Sequence, residues 1–297
     1  MVGRLRLPGH PTADPRTDWA VPDAMVFVGN RLVINDPATG SIAVLDPSTG
    51  NATKSALPGR RKAGVALPSW QTWLVSAGQR AYAIFQTTSA FAAYSVEAGA
   101  RVDGPWRLDL PEKGHVHVEP SPDGGLLFIY CDARNGDLEF RVYSWSHEGG
   151  MQRTVSAHVA NPLKLDDVDD LVWDRRPRYL LGSASGRSHV ARIGAGSTVD
   201  ASMEINAGYE HLIWIDNVGR AWVSSDFGGE TAVLIADVDR GQAKRATLVP
   251  DEVLRITLRY SKGPSQIFAV DPSSQGDAYV GLSERTGFAI YRVEPPR

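Results

Sequence analysis

The sequence predicts an all-β fold of repeated, four-stranded antiparallel sheets. A short polar–apolar alternation closed by proline recurs along the 297-residue chain, and the closing residues are Pro8, Pro58, Pro111 and Pro250. The first two intervals are each roughly 50 residues, near the period of repeats made of short strands. Two connectors, beginning at Asp36 and Asp46, carry the same Asp-Pro-x-Thr-Gly turn chemistry, in which proline fixes φ and glycine accepts a positive φ.

Five successive units fill most of the chain, and each contains four short segments with a period of two and many β-branched or aromatic residues. The units cover about 23–58, 69–111, 115–158, 166–206 and 209–250. The fourth and fifth also share a local match, because Asp169-Asp-Leu-Val-Trp-Asp174 resembles Glu210-His-Leu-Ile-Trp-Ile-Asp216. Such repetition predicts a β-propeller, in which every unit forms one blade.

A sixth unit at the C-terminus contains three predicted strands, Gln266–Val270, Asp277–Leu282 and Phe288–Val293. Its fourth strand is missing, and Val2–Leu7 is a spare strand of the right type. We therefore expect the N-terminal strand to complete the C-terminal blade, which would remove both free sheet edges. The sequence thus predicts one domain, residues 1–297, folded as a six-bladed propeller. The extra apolar stretch Leu254–Tyr260 makes seven blades the alternative.

Composition and charge restrict the partners and the location that we expect for the protein. The 31 basic and 34 acidic residues nearly balance at a net charge of −3, without a large basic cluster, so we expect no nucleic-acid partner. No apolar run is long enough to span a bilayer, and we expect no membrane partner. The first ten residues lack the apolar region of a secretory signal. Together with the single cysteine, Cys131, this indicates a cytoplasmic protein.

Ionisable residues concentrate at the start of three predicted inner strands. His115 and His117 are two residues apart and share one face of a strand. Asp170 lies at the start of the first strand of the fourth unit, and Glu210 and His211 lie at the start of the first strand of the fifth. Because the third and fifth units flank the fourth, we expect these groups to converge. We predict His117, His211 and Asp170 as catalytic residues, with His115 and Glu210 binding substrate.

Two chemistries suit this set. Two imidazoles and a carboxylate can bind a divalent metal such as Zn²⁺, Mn²⁺ or Fe²⁺. The same groups can act as a general acid and base near neutral pH. The structural alternative is that the starts of the inner strands are polar only because they face a solvated channel.

Two of the eight tryptophans, Trp19 and Trp70, lie in or beside predicted entry loops. Their rings could stack on an aromatic or sugar ligand, so we predict them as substrate-binding residues. Packing in the core or at the rim is the alternative, because large aromatic side chains act mostly through buried area.

The turn Ser121-Pro-Asp-Gly124 lies between two apolar segments and resembles the first hairpin of WD40-type and TolB-type propeller blades. Over nearly its whole length the chain resembles the β-propeller superfamily, which also includes gluconolactonase-like enzymes. The Glu, Asn and Asp set of the calcium-dependent members has no residue-by-residue match in this sequence. The resemblance therefore implies the fold and no particular activity.

We favour the hypothesis of a small-molecule enzyme, a lyase, cyclase or hydrolase, that uses these His and Asp side chains. The alternative is a non-catalytic scaffold that presents one face of the propeller to a protein partner. A pocket that binds a ligand would distinguish the first function, and an exposed apolar patch the second.

Overall fold

A computed structural model of the chain describes residues 24–36, 41–57, 72–86, 91–112, 116–173, 177–205, 210–227, 230–257, 266–270, 278–284 and 287–294, except positions 47, 50, 135, 217 and 246. At positions 24, 36, 72, 86, 134, 210–214, 224–233 and from 245 onward, only the backbone is described. No helix in this part of the chain is long and apolar enough to cross a membrane.

The strands group into two compact units, and the first unit holds three four-stranded sheets. Sheet A contains β1 (Ala24–Val28), β2 (Arg31–Asp36), β3 (Ser41–Leu45) and β4 (Ala52–Ala56). Sheet B contains β5 (Thr72–Ala77), β6 (Arg80–Gln86), β7 (Phe91–Glu97) and β8 (Val102–Leu108). Sheet F contains β21 (Thr247–Thr257), β22 (Gln266–Val270), β23 (Ala278–Glu284) and β24 (Gly287–Glu294).

The second unit also holds three four-stranded sheets. Sheet C contains β9 (His117–Pro120), β10 (Leu126–Arg134), β11 (Asp137–Ser146) and β12 (Gly150–Ala160). Sheet D contains β13 (Asp167–Trp173), β14 (Pro177–Ala184), β15 (Arg187–Ile193) and β16 (Val199–Ile205). Sheet E contains β17 (Glu210–Ile215), β18 (Ala221–Phe227), β19 (Glu230–Asp237) and β20 (Gln242–Arg245).

Sheets A to E are simple antiparallel meanders in which successive strands pair in chain order. This is the architecture of propeller blades, so the all-β propeller fold is confirmed. The described chain has five such blades, and the prediction of six, like the alternative of seven, is corrected to that number. The single domain expected for residues 1–297 stays a prediction.

Sheet F differs from the meanders because its order is β21-β24-β23-β22. The place beside β24, which the sequence assigns to Val2–Leu7, is occupied by β21, so that assignment is wrong; Val2–Leu7 itself lies outside the described residues. The unassigned stretch that begins at Leu254 contributes its first residues to β21. An 11-residue strand can cover the edge of β24 and satisfy its backbone groups.

The core of the second unit follows from the alternation of its strands. On β10, Leu127 and Ile129 point into one buried cluster, whereas Tyr130 lies on the opposite face. The cluster joins sheets C and D, since Phe140 of β11 packs against Trp173 of β13 with ring centroids 6.0 Å apart. A second cluster joins sheets D and E in the same way. The first unit has its own cluster between sheets A and B.

Candidate active site

The candidate site begins on β9, the first strand of sheet C. In the pairing of β9 with β10, His117 lies opposite Ile129 and Glu119 lies opposite Leu127. Directly opposed residues share a face of the sheet, and both apolar partners belong to the cluster between sheets C and D. His117 and Glu119 therefore stand on the face that is directed towards sheet D.

The facing strand, β13, presents Asp170. The pairing of β13 with β14 shifts between Val168 and Asp170, and this bulge re-aims the side chains that follow it. The backbone N–H of Leu171 donates a hydrogen bond to Oδ1 of Asp170 at 2.9 Å. The carboxyl group is thus held at a fixed place beside β9, which β13 contacts directly.

His117 and Asp170 form the centre of the site. Nδ1 of His117 lies 3.8 Å from Oδ1 of Asp170, and the exposed fractions of the two side chains are 7% and 26%. This separation exceeds a normal hydrogen bond, but hydrogen bonds between catalytic groups are often long until a substrate is bound. A buried imidazole beside a carboxylate is an arrangement that can accept a proton and stabilise the resulting charge.

Glu119 is a third ionisable group at this site and is not among the residues predicted from the sequence. Burial raises the pKa of its carboxyl well above the usual range, and the charge of Asp170 raises the pKa further. The signal was available in the sequence, because His117-x-Glu119 is the same two-residue spacing that directed attention to His115 and His117.

Close packing of β13 against β14 depends on Gly182. A Cβ atom at this position would lie 2.4 Å from the backbone oxygen of Asp167. Only glycine permits the two strands to approach this closely at the start of β13. The position of Asp170 therefore depends partly on a residue that carries no functional group.

Cys131 follows the same side of β10 as Leu127 and Ile129 and packs against the core cluster. Burial raises the pKa of its thiol to about 12, and the charges of Asp132 and Asp167 act in the same direction. A nucleophilic cysteine needs a lowered pKa. Cys131 is therefore a packing residue.

The opposite face of sheet C carries a polar network around Glu112. Its carboxylate accepts hydrogen bonds from Nε of Arg141, at 3.0 and 2.8 Å to the two oxygens, and from the hydroxyl of Tyr143. The backbone oxygen of Glu112 accepts a further bond from the Tyr130 hydroxyl. Arg141 also binds Asp132 at 2.8 Å. Although burial alone would raise the pKa of Glu112, Tyr143 and Arg141 lower it below its usual value.

Sequence reasoning missed this network because its members are far apart in the chain and follow no motif. Glu112 comes shortly before β9, whereas Arg141 lies on β11. The ion pair and hydrogen bonds tie the segment that enters β9 to the body of sheet C. The network thereby supports the strand that carries His117 and Glu119.

The structure describes the positions of some predicted site residues but not of others. It brings His117 and Asp170 together. Glu210 and His211 lie on β17 opposite Ser225 and Ser224, and β17 contacts β13, but their side chains are outside the description. His115, Trp19 and Trp70 lie outside the described residues, so their roles stay predictions.

Metal binding also stays a prediction. Among the side chains that the structure describes, no group of three or more His, Cys, Asp or Glu residues is arranged to hold a metal ion. The metal site expected from the sequence needs two imidazoles, and the side chains of His115 and His211 are not among the described side chains.

No protein-family model matches the sequence, and no curated protein is significantly similar to it. Among solved structures, a luciferin-regenerating enzyme aligns with a TM-score of 0.53 and 12% identity over 94% of this chain and 92% of that one. The PQQ-bound aldose sugar dehydrogenase from Streptomyces coelicolor aligns with a TM-score of 0.53 and 14% identity over 99% and 98% of the two chains. Identity this low shows the fold alone, and the β-propeller fold that the sequence predicts is confirmed.

Proposed function

We propose that this protein is a small-molecule enzyme whose His117–Asp170 pair transfers protons during a lyase, cyclase or hydrolase reaction. The observation that carries the proposal is the buried imidazole whose Nδ1 lies 3.8 Å from Oδ1 of Asp170. In this role Asp170 fixes the orientation of the ring and stabilises its positive charge after protonation. Nε2 of His117 is then the atom that exchanges a proton with the substrate.

The support for this proposal comes from the positions of the two side chains and not from the similarity to solved structures. Both solved structures named above are enzymes that their names associate with small molecules, but a shared propeller fold does not transfer an activity. We also propose a cytoplasmic location, which is supported by the single, partly buried cysteine and the absence of any disulfide partner within the chain. The bound molecule would be a metabolite of the size that a pocket can enclose.

A thermal-shift screen tests the proposal. The purified protein is melted with a broad metabolite panel, with divalent metals and with EDTA. A ligand at about 100 times its Kd stabilises the native state by about 2.7 kcal/mol. We expect at least one metabolite to raise the Tm of the wild-type protein and to lose this effect in His117→Asn and Asp170→Asn.

The matched control is His158→Asn. His158 lies on β12 and is exposed, so removal of its imidazole should leave ligand binding unchanged. A ligand that binds all three variants equally well would contradict the proposed role of the pair. A panel without any shift would favour the scaffold function. The exposed apolar surface that such a scaffold needs would then have to include Val155 or Val218, the exposed large apolar side chains in the described part of the chain.

A further inference from the structure

Glu119 differs from Glu112, the partly buried carboxyl group at the opposite face of sheet C, because its carboxyl has no partner among the described residues. Among the residues that the structure describes, no Arg, Lys or hydrogen-bond donor contacts its carboxyl, and the charge that acts on it is that of Asp170. Glu112, by contrast, accepts bonds from Arg141 and Tyr143. The described side chains therefore leave the desolvation of the Glu119 carboxyl uncompensated, in contrast to that of Glu112.

The position of Glu119 relative to His117 suits two groups that act on one substrate. The residues are two apart on β9, and a strand rises about 3.3 Å per residue, so their backbones are separated by about 7 Å along one face. Side chains at this spacing can reach two different atoms of one small molecule. Val118, the residue between them, points to the other face and lies opposite Phe128.

The electrostatics favour a proton on Glu119. The titratable side chains of the facing strand, β13, are Asp167, Asp169 and Asp170. On β10, the apolar Leu127 lies opposite Glu119 and the apolar Ile129 lies opposite His117. Burial disfavours the ionised carboxyl, and a neighbouring carboxylate without a compensating cation disfavours it further. Both causes raise the pKa of Glu119.

We propose that Glu119 is the proton donor of this site and that His117, oriented by Asp170, is the matching proton acceptor. This inference rests on the proposed function and names its second catalytic group. The substrate class that needs such a pair has an oxygen or nitrogen leaving atom that departs only when it is protonated, such as an alcohol or an amine.

The proton transfers balance without any further reactant in an elimination. His117 takes a proton from carbon, the electron pair of that C–H bond forms a double bond, and the bond to the leaving atom breaks. The leaving atom takes the proton of Glu119 and departs as a neutral alcohol or amine. In a hydrolysis, His117 takes the proton of the attacking water instead. Solvent exchange then returns the proton from His117 to Glu119.

Carboxyl ¹³C NMR of the full-length protein labelled at glutamate tests the protonation state. The Glu119 signal is assigned by its loss in Glu119→Gln. We expect it to remain protonated at neutral pH, whereas the Glu112 signal titrates at acid pH. Asp170→Asn should move the Glu119 midpoint to lower pH, because it removes a neighbouring negative charge. Asp169→Asn, which neutralises the adjacent residue of the same strand, should leave the midpoint unchanged.

Accessibility is tested by carbodiimide coupling to glycinamide, which activates protonated carboxyls, followed by peptide mass spectrometry. We expect Glu119 to be coupled at neutral pH faster than Glu112. An ionised Glu119 at neutral pH, or a protonated one that cannot be coupled, would overturn its role as donor. Either result leaves the His117–Asp170 proposal intact, because that proposal is tested by ligand binding to the His117 and Asp170 variants.

Discussion

Glu112→Gln should destabilise the protein although it changes no residue of the candidate active site. The substitution keeps the shape of the side chain but removes the charge that Arg141 and Tyr143 bind. A hydrogen bond to a charged group contributes about 1.5–3 kcal/mol. The loss is smaller than that of a fully buried pair, because Arg141 retains Asp132 at 2.8 Å and the side chains of Arg141 and Glu112 are 18% and 23% exposed. We therefore expect a cost of about 2 kcal/mol.

The chain supplies a matched control in the pair of Arg107 and Asp109. Its N–O distance of 2.8 Å equals that of Arg141 and Glu112, but its side chains are 71% and 77% exposed. Exposed ion pairs contribute at most about 1 kcal/mol, and many contribute nothing measurable. Asp109→Asn should therefore change the free energy of unfolding by less than about 0.5 kcal/mol.

Chemical denaturation at neutral pH, followed by circular dichroism, measures both variants against the wild-type protein. The pH dependence gives a second test. Because the folded pKa of Glu112 is lowered, its stabilisation is complete above the unfolded value of about 4.3 and is lost as the pH falls through the folded pKa. The difference between wild type and Glu112→Gln should thus close in acid. Equal effects of the two variants, or a difference that persists in acid, would refute this reasoning.

Two further variants or reactions test the packing around the site. Gly182→Ala should destabilise the protein by about 1–3 kcal/mol in thermal unfolding, because the new methyl group would clash with the backbone oxygen of Asp167. Gly196→Ala is the control and should cost much less, because a Cβ atom at this position has no neighbouring atom within 4 Å. Cys131 should resist iodoacetamide at neutral pH in the native protein and react after denaturation, since burial raises the pKa of its thiol to about 12. Rapid alkylation of the native protein, measured by mass spectrometry, would contradict that environment.

The sequence predicted the blades well because each depends on local signals. The repeated Trp motif, Asp169–Asp174 and Glu210–Asp216, predicted β13 and β17 close to their observed bounds. Trp173 of this motif packs between sheets, since it contacts Phe140.

The sequence failed at sheet F, and Pro250 explains why. The residue was taken as the end of a strand, since proline lacks the N–H that a central strand needs. It lies instead inside β21, which runs from Thr247 to Thr257. This strand is at the edge of its sheet, where a missing donor leaves no partner unsatisfied. Whether a strand becomes an edge is a property of the assembled sheet and cannot be deduced from the strand alone.

The candidate site was predictable to the extent that it follows the repeat. His117 and Asp170 were selected because polar residues begin two neighbouring inner strands, and the structure brings them together. Their distance, however, depends on the bulge after Val168 and on the close approach at Gly182. Neither feature has a spacing rule in the sequence, so the residues could be named but not their geometry.

Glu112 and Glu119 illustrate how the two faces of one sheet shift the pKa of the same side chain in opposite directions. Glu112 lies on the face where Arg141 and Tyr143 supply donors, so its pKa falls. Glu119 lies on the face that packs towards sheet D, where burial and Asp170 raise its pKa. Which face a residue occupies is decided by the two-residue period of the strand and by the register of β9 against β10. A slip of one residue would carry both His117 and Glu119 to the opposite face, away from Asp170. The alternation that buries the core therefore also determines which carboxyl group can donate a proton.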